Sequence, residues 1–335
     1  MKIKDIARAI EEFAPASLAE SYDNVGLLVG DPNAEATGVL INLDVTEELI
    51  DEAVAAGINM IVTHHPIWFT GIKRLIGDNY VSRIILKAIR ENVALYACHT
   101  NLDNVQDGVN RMIGERMGIE NMRILSTKRE QLLKLVFYGH AEELAILSDA
   151  VFAAGARDLR TTDVGRQGRV ECIMPTYRKG AILNALRAAH LGQELVYHVL
   201  PTLDTDSETG SGMIGMLPEA ISKPDFLAMV KERFGCGAIR YADAGIEKVQ
   251  RVAWCGGAGS FLISNAISAG ADAFITGDIT YHKFFDSEGR ILLLDIGHFE
   301  SEQFTSNLLH SYLSETFPTF AVRLSRIVTN PVKYC

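Results

Sequence analysis

The sequence predicts an α/β protein in which two pseudo-repeated α/β lobes form one core, with an inserted ferredoxin-like α+β domain between them. Three observations predict this. A strand–helix–strand segment occurs twice, at 38–65 and 251–278. A β-α-β-β-α-β pattern separates the two copies. The 335-residue chain is 48% hydrophobic and 22% charged, which allows a sizeable buried core and excludes a disordered or disulfide-stapled chain. The expected division is 1–128 for the first lobe, 130–203 for the insert and 206–335 for the second lobe.

Taken in order, Ile3, Ile6, Ala7, Ile10 and Phe13 fall at helical spacing and predict an amphipathic helix ending near Pro15. The first copy of the repeat, GVLINLDVTEELIDEAVAAGINMIVTHH, aligns without a gap with RVAWCGGAGSFLISNAISAGADAFITGD. Identities include Leu49/Leu262, Ala53/Ala266, Gly57/Gly270 and Thr63/Thr276. Gly57 and Gly270 sit where a helix end calls for a left-handed residue. The near-continuous apolar strands suit a sheet covered on both faces. Each copy is followed by another apolar strand and then a His-x-x-x-carboxylate segment, His99–Asp103 and His298–Glu302. The insert reads as strand 133–139, helix 142–154, strands 157–164 and 169–174 around Gly165 and Gly168, helix 179–190 and strand 194–200. Thr202–Gly212 is polar and Gly/Ser-rich, hence a linker. Pro218 and Pro224 are expected to flank a turn before the helix Asp225–Phe234.

The formal charge of −10 repels nucleic-acid phosphates, so no nucleic-acid partner is expected. No segment reaches the ~18 unbroken apolar residues of a membrane span. Asp5, Glu11 and Glu12 interrupt the N-terminus where a signal peptide needs an apolar stretch. Five cysteines without a CxxC pair read as reduced thiols, and a cytoplasmic location is expected.

The chemistry-bearing residues collect at the carboxyl ends of the predicted strands, where α/β proteins place their sites. His64 and His65 directly follow a buried strand, and neither ring can face apolar core without stranding a nitrogen. Neighbouring residues of an extended segment point to opposite sides, so sharing one site requires a bend or two ions. Together His64, His65, Asp103, His298 and Glu302 supply three imidazoles and two carboxylates, an N/O set for Zn, Fe or Mn. Five donors exceed the three of an open mononuclear site, which suggests two divalent cations bridged by Glu302 or Asp103. His99 stands at the repeat position of His298 and is a candidate ligand, supporting residue or general acid/base. His282 is a candidate proton-transfer group or a helix cap. Cys255-Gly256-Gly257-Ala258-Gly259-Ser260 is a strand-to-helix turn that could either face an anion such as phosphate or simply make a tight connection.

The ordered set SYDNVGLLVG, IVTHHPIWF, CHTNLDN, WCGGAGSFL, FITGDITYHKF and DIGHFESEQF resembles the GTP cyclohydrolase 1 type 2 homologs, the Nif-three-like toroidal dimetal proteins. The insert resembles the CutA-like, ferredoxin-like domain of longer bacterial members. Tyr22 stands where many members have Trp. The resemblance implies one cation held by His65, Asp103 and Glu302, and a second held by His64 and His298 with Glu302 bridging. It also implies a homohexameric ring and hydrolytic opening of the GTP imidazole ring to dihydroneopterin triphosphate and formate, with His99 and His282 moving protons. The substrate is then a small, nucleotide-like molecule. Two other readings stay open: a non-catalytic metal-dependent regulator or scaffold, and a dimetal phosphoesterase or amidohydrolase with another substrate.

Overall fold

Ile3, Ile6, Ala7 and Ile10 are all buried along one face of the first helix, α1 (Ile3–Phe13). The computed structural model describes residues 1–164, 167–190 and 195–335. From α1 the chain continues through β1 (Gly26–Val29), β2 (Val39–Asn42), α2 (Glu47–Ala55), β3 (Met60–Thr63) and α3 (Tyr80–Arg90). It then forms β4 (Ala94–Ala97), the short α4 (Thr100–Asp103), α5 (Val109–Arg116) and β5 (Glu120–Thr127). Helix starts are fixed locally: Thr46 accepts from the Leu49 amide at α2, and Asn79 and Ser82 form a reciprocal capping box at α3.

Residues Thr127–Thr209 form a compact unit of their own. Its elements are β6 (Leu132–His140), α6 (Ala141–Ala153), β7 (Arg157–Val164), β8 (Gln167–Pro175), α7 (Lys179–Ala189) and β9 (Tyr197–Pro201). The strands pair antiparallel in the order β7-β8-β6-β9. Leu135, Phe137, Leu147, Val151, Val170, Met174, Ile182 and Leu186 close its core. Gly165, and Glu194 at the expected start of the last strand, lie outside the described residues. The expected linker is partly structural: Asp206 is buried, with Arg157 Nη1 donating to its Oδ1 at 3.0 Å. A buried carboxylate needs such a partner.

Residues Met1–Ser126 and Gly210–Cys335 make the other unit. Its second half runs β10 (Gly210–Ser222), α8 (Lys223–Phe234), β11 (Arg240–Ala242), β12 (Lys248–Trp254), α9 (Ile263–Ser268), β13 (Ala273–Thr276) and β14 (Leu292–Asp295). It ends with α10 (His298–Glu302), α11 (Thr305–Thr316) and β15 (Val322–Leu324). Pro218 lies inside β10 rather than in a turn. The pairing of β10 with β12 slips between Met216 and Ile221, and such a bulge tolerates a residue without an N–H.

The sequence repeat is a structural repeat with the same register. Val39 pairs with Met60 across the parallel strands β2 and β3, and the aligned Val252 pairs with Ala273 across β12 and β13. The side chains of each sheet alternate between two cores. Leu40, Ile61 and Leu95 face α2 and α3 through Leu49, Ile50, Ala53, Ile84 and Ile85. Ala253, Phe274 and Leu293 face α9 through Ile263 and Ala266. The opposite faces of both sheets share one core: Ile41, Val62 and Tyr96 from one, and Trp254, Ile275 and Leu294 from the other. Helices α1, α5, α8 and α11 contribute Ile6, Ile113, Phe226 and Leu309 to it.

Each half also lends a strand to the other half's sheet. Among the described residues the sheet orders are β1-β4-β3-β2-β15 and β11-β14-β13-β12-β10-β5. The last strand of the chain therefore edges the first sheet, and β5 edges the second. The sequence repeat carries no sign of this exchange, which depends on contacts between its copies.

Candidate metal centre

The site is built where β3, β4, β13 and β14 end. After Thr63 the chain bends, with Thr63 Oγ1 donating to the His65 carbonyl at 2.8 Å and the His65 amide to Leu43 O at 3.0 Å. This bend turns both imidazoles to one side, their ring centroids 4.9 Å apart. At the aligned position Thr276 Oγ1 donates instead to Gly257 O, in the turn after β12, at 2.8 Å.

His64 is wholly buried, and its Nδ1 donates to the Cys98 carbonyl at 2.8 Å. A carbonyl can only accept, so the proton sits on Nδ1 and the Nε2 lone pair faces inward. Nε2 lies 3.7 Å from Asp103 Oδ1 and 3.6 Å from Glu302 Oε1, and no hydrogen-bond partner meets it. Asp103 Oδ1 is likewise buried and unpartnered. Burial and the Glu302 charge push the Asp103 carboxyl up to about 8. Two buried acceptors facing a carboxylate make a donor set that a divalent cation would satisfy.

The second group shares Glu302. His65 Nε2 and His298 Nε2 each lie 3.0 Å from Glu302 Oε2, and 3.3 Å from one another. Burial opposes charge on these rings, but hydrogen bonds to carboxylates outweigh it. His65, between Asp44 and Glu302, is pushed up to about 10; His298, between Glu302 and Asp278, to about 9. Burial would raise Glu302, yet its imidazole contacts hold it well below the usual carboxylate range. The donor atoms of His64, Asp103 and Glu302, and those of His65, His298 and Glu302, each fall within 4.8 Å of one another and could hold a metal ion. The resemblance had grouped His65 with Asp103 and His64 with His298; the geometry pairs them the other way, with one Glu302 oxygen turned to each group.

Every imidazole here is gripped at its outer nitrogen. His65 Nδ1 meets Asp44 at 2.7 Å, His298 Nδ1 meets Asp278 at 2.7 Å, and His99 Nδ1 meets Asp23 at 2.9 Å. Carboxylate or carbonyl partners on the far nitrogen are the usual support of metal-binding histidines. His99 belongs to the same cluster, its ligand nitrogen within 4.8 Å of those of His64 and His65. Burial would raise Asp23, but hydrogen bonds from His99 and Thr100 hold it down at about 2. The strand register sets His99 opposite Gly297 rather than His298, since Met60 pairs with Ala94 where Ala273 pairs with Leu292. His282 is not brought to the cluster. It is exposed on a short 3-10 turn, its ring 5.3 Å from that of Tyr281.

The glycine amides of the Gly-rich turn are turned to side chains around the cluster. The amides of Gly256, Gly257 and Gly259 donate to Asn110 Oδ1, Ser301 Oγ and Thr276 Oγ1. Gly257 has φ +59°, and a Cβ there would stand 2.4 Å from Glu302 Oε1. Glycine lets the backbone pass over the shared carboxylate. Burial pushes the Cys98 and Cys255 thiols up, which disfavours thiolate ligands. A cavity of about 420 Å³ opens over the cluster, lined by His65, His99, Asp103, His298 and Glu302 among others.

The model of the family described as Duf34/NIF3 (NGG1p interacting factor 3) matches residues 1–331. The chain belongs to the Duf34/NIF3 family. A Staphylococcus epidermidis protein named GTP cyclohydrolase 1 type 2 homolog is 30% identical over 367 residues, covering all of both chains. The crystal structure of a Bacillus cereus protein related to NIF3 superposes with TM-score 0.87 at 29% identity, covering 100% of this chain and 99% of that one. A Staphylococcus aureus crystal structure gives TM-score 0.82 at 30% identity with the same coverage. Among the described residues of this Duf34/NIF3 chain, no helix is long and apolar enough to cross a membrane. The residues that sequence reasoning missed are Asp23, Asp44 and Asp278. Two of them carried a signal: Asp44 aligns in the repeat with Gly257, and Asp278 with His65.

Proposed function

We propose that this chain holds two divalent cations and acts as a metal-dependent hydrolase on a small molecule. His64, Asp103 and Glu302 would hold one cation, and His65, His298 and Glu302 the other. The observation that carries the reading is the His64 ring: its outer nitrogen donates to a carbonyl, and its buried inner nitrogen faces two carboxylates without a donor. Zn, Fe and Mn all suit an N/O set of this kind. Such ions supply Lewis acidity and acidify a water molecule at the site.

The chain's own residues do the rest. Asp44 and Asp278 orient His65 and His298, and Glu302 sets the spacing of the two groups. Asp23 fixes the tautomer and direction of His99, whose other nitrogen turns toward the cluster and can take or return a proton at the substrate. His282, exposed and away from the cluster, is dropped from this role. The relatives' name makes GTP the sharpest candidate substrate, with formate as a product. The homohexamer implied by the family resemblance and the cytoplasmic location expected from the cysteines go with this proposal, and sedimentation velocity reads the assembly.

The test is metal analysis of the purified protein beside His64→Ala and Glu302→Ala. Two ions per chain are expected, falling to one or none in His64→Ala and to none in Glu302→Ala. Metal content unchanged by either substitution refutes the site. Metal-loaded protein that hydrolyses nothing in a broad screen refutes the hydrolase and leaves a metal-dependent scaffold.

A further inference from the structure

The cavity over the cluster has an unusual wall for a site that would take a nucleoside triphosphate. Among the described residues that line it there is no Lys or Arg, whereas Glu20, Asp44, Asp103 and Glu302 are all present. Two dications would do no more than balance those four carboxylates, leaving no surplus charge for phosphates. Proteins bind phosphate with cationic side chains or with free backbone N–H groups at a helix start. The second device is weak too, because the amides of Gly256, Gly257 and Gly259 in the Gly-rich turn are committed to side-chain oxygens. The cationic residues nearest to Phe69 in sequence, Lys73 and Arg74, are exposed and do not line the cavity.

What the wall does offer is flat apolar surface. Tyr22, Phe69 and Phe261 line the cavity while remaining 64%, 49% and 62% exposed. Large aromatics held half out of the core at a cavity mouth are poised to stack on a planar ring. Phe69 already lies 5.6 Å from the His99 ring, next to the proton-transfer group of the proposed mechanism. The amides of Asn104 and Asn110 cannot read ligand charge, since they are spent on Leu18, Glu20, Ser211, Asp103 and Gly256.

We propose that this cavity selects an uncharged planar heteroaromatic ligand, of the kind of a purine nucleoside, over the corresponding triphosphate. The inference rests on the metal-dependent hydrolase reading and replaces GTP, the substrate that the relatives' name suggests, with a ligand lacking the triphosphate. The ring stacks between Tyr22, Phe69 and Phe261 with its edge toward His99 and the cluster, and a chain of phosphates meets only carboxylates.

The experiment is calorimetric titration of metal-loaded protein with guanosine and, separately, with GTP. Metal content is measured before and after, so that chelation by the triphosphate is not read as binding. Guanosine is expected to bind at least as tightly as GTP, and Phe69→Ala and Phe261→Ala each to weaken it about fivefold or more. GTP binding tighter than guanosine by about tenfold overturns the proposal, as does the absence of guanosine binding or its indifference to both substitutions. A protein that takes up no metal at all fails the underlying hydrolase reading instead, so the two failures are separable.

Discussion

Metal uptake at this site should expel protons, and the number follows from what the imidazoles touch. His65 sits between Asp44 and Glu302 and is pushed up to about 10, while His298 sits between Glu302 and Asp278 and is pushed up to about 9. At pH 7.5 both rings are then almost wholly imidazolium. Each must surrender its Nε2 proton to act as a ligand, so saturating the site releases about two protons, and Asp103, itself raised, adds up to about one more. By linkage the logarithm of metal affinity rises by about two to three per pH unit below pH 9. The assay is calorimetry of metal binding in buffers of different ionisation enthalpy, repeated from pH 6.5 to 9. The same shifts fix a stability trend. Both folded values lie above the ordinary imidazole value of 6.5, so their stabilisation is full below that value and is lost as pH rises through about 9 to 10. Metal-free protein should therefore lose Tm between pH 8 and 10 while loaded protein does not. Metal binding without proton release, or with a flat pH dependence, would refute the assigned protonation and the shared role of Glu302.

Further outcomes follow from single contacts. Gly257→Ala places a methyl 2.4 Å from Glu302 Oε1 at a positive φ, and should cost about 1 to 3 kcal/mol of stability. It should also abolish binding of at least one ion, read by metal analysis; full occupancy would contradict the close approach. Thr329→Val removes the hydroxyl that donates to Asp44 Oδ2 at 2.6 Å, and should weaken metal binding about tenfold with unchanged circular dichroism. An unaltered affinity would show that Asp44 needs no such support. Arg157→Ala removes the charged partner of the buried Asp206 carboxylate, leaving it the Glu208 amide, and should destabilise residues 127–209 by about 1.5 to 3 kcal/mol. Hydrogen exchange of that unit is the readout, and unchanged protection would rule the pair out as its support.

Much of the fold was legible because its signals are local and periodic. The first helix, the two strand–helix–strand copies and their terminal glycines all follow from apolar spacing and left-handed turns, and Gly57 and Gly270 do adopt φ near +70°. The inward histidines were legible for a related reason, since polar residues at buried strand ends have few other uses. What was not legible depends on distance in space. Nothing in the spacing of Asp44 and His65, or of Asp278 and His298, says that a carboxylate some twenty residues away grips a given ring. That the His64 ring lies by Asp103 and the His65 ring by His298 depends on the bend after Thr63, which strand alternation cannot foresee. The Gly-rich turn stays open between two readings in the sequence because glycine near a helix start serves equally to admit an anion or, as at Gly257, to clear a side chain.

The place where residues 127–209 interrupt the larger unit has a consequence for how such a chain can change. β5 and β10, which precede and follow the interruption, are neighbours in one sheet, and the Lys128 amide donates to Thr209 O at 3.0 Å. Entry and exit of the extra sequence are thus stitched together at its base. Swapping the whole segment for a few turn residues would ask nothing of the surrounding backbone, and loop length itself is cheap in entropy. Relatives could gain, lose or exchange this module as a single cassette while the histidine cluster stays untouched.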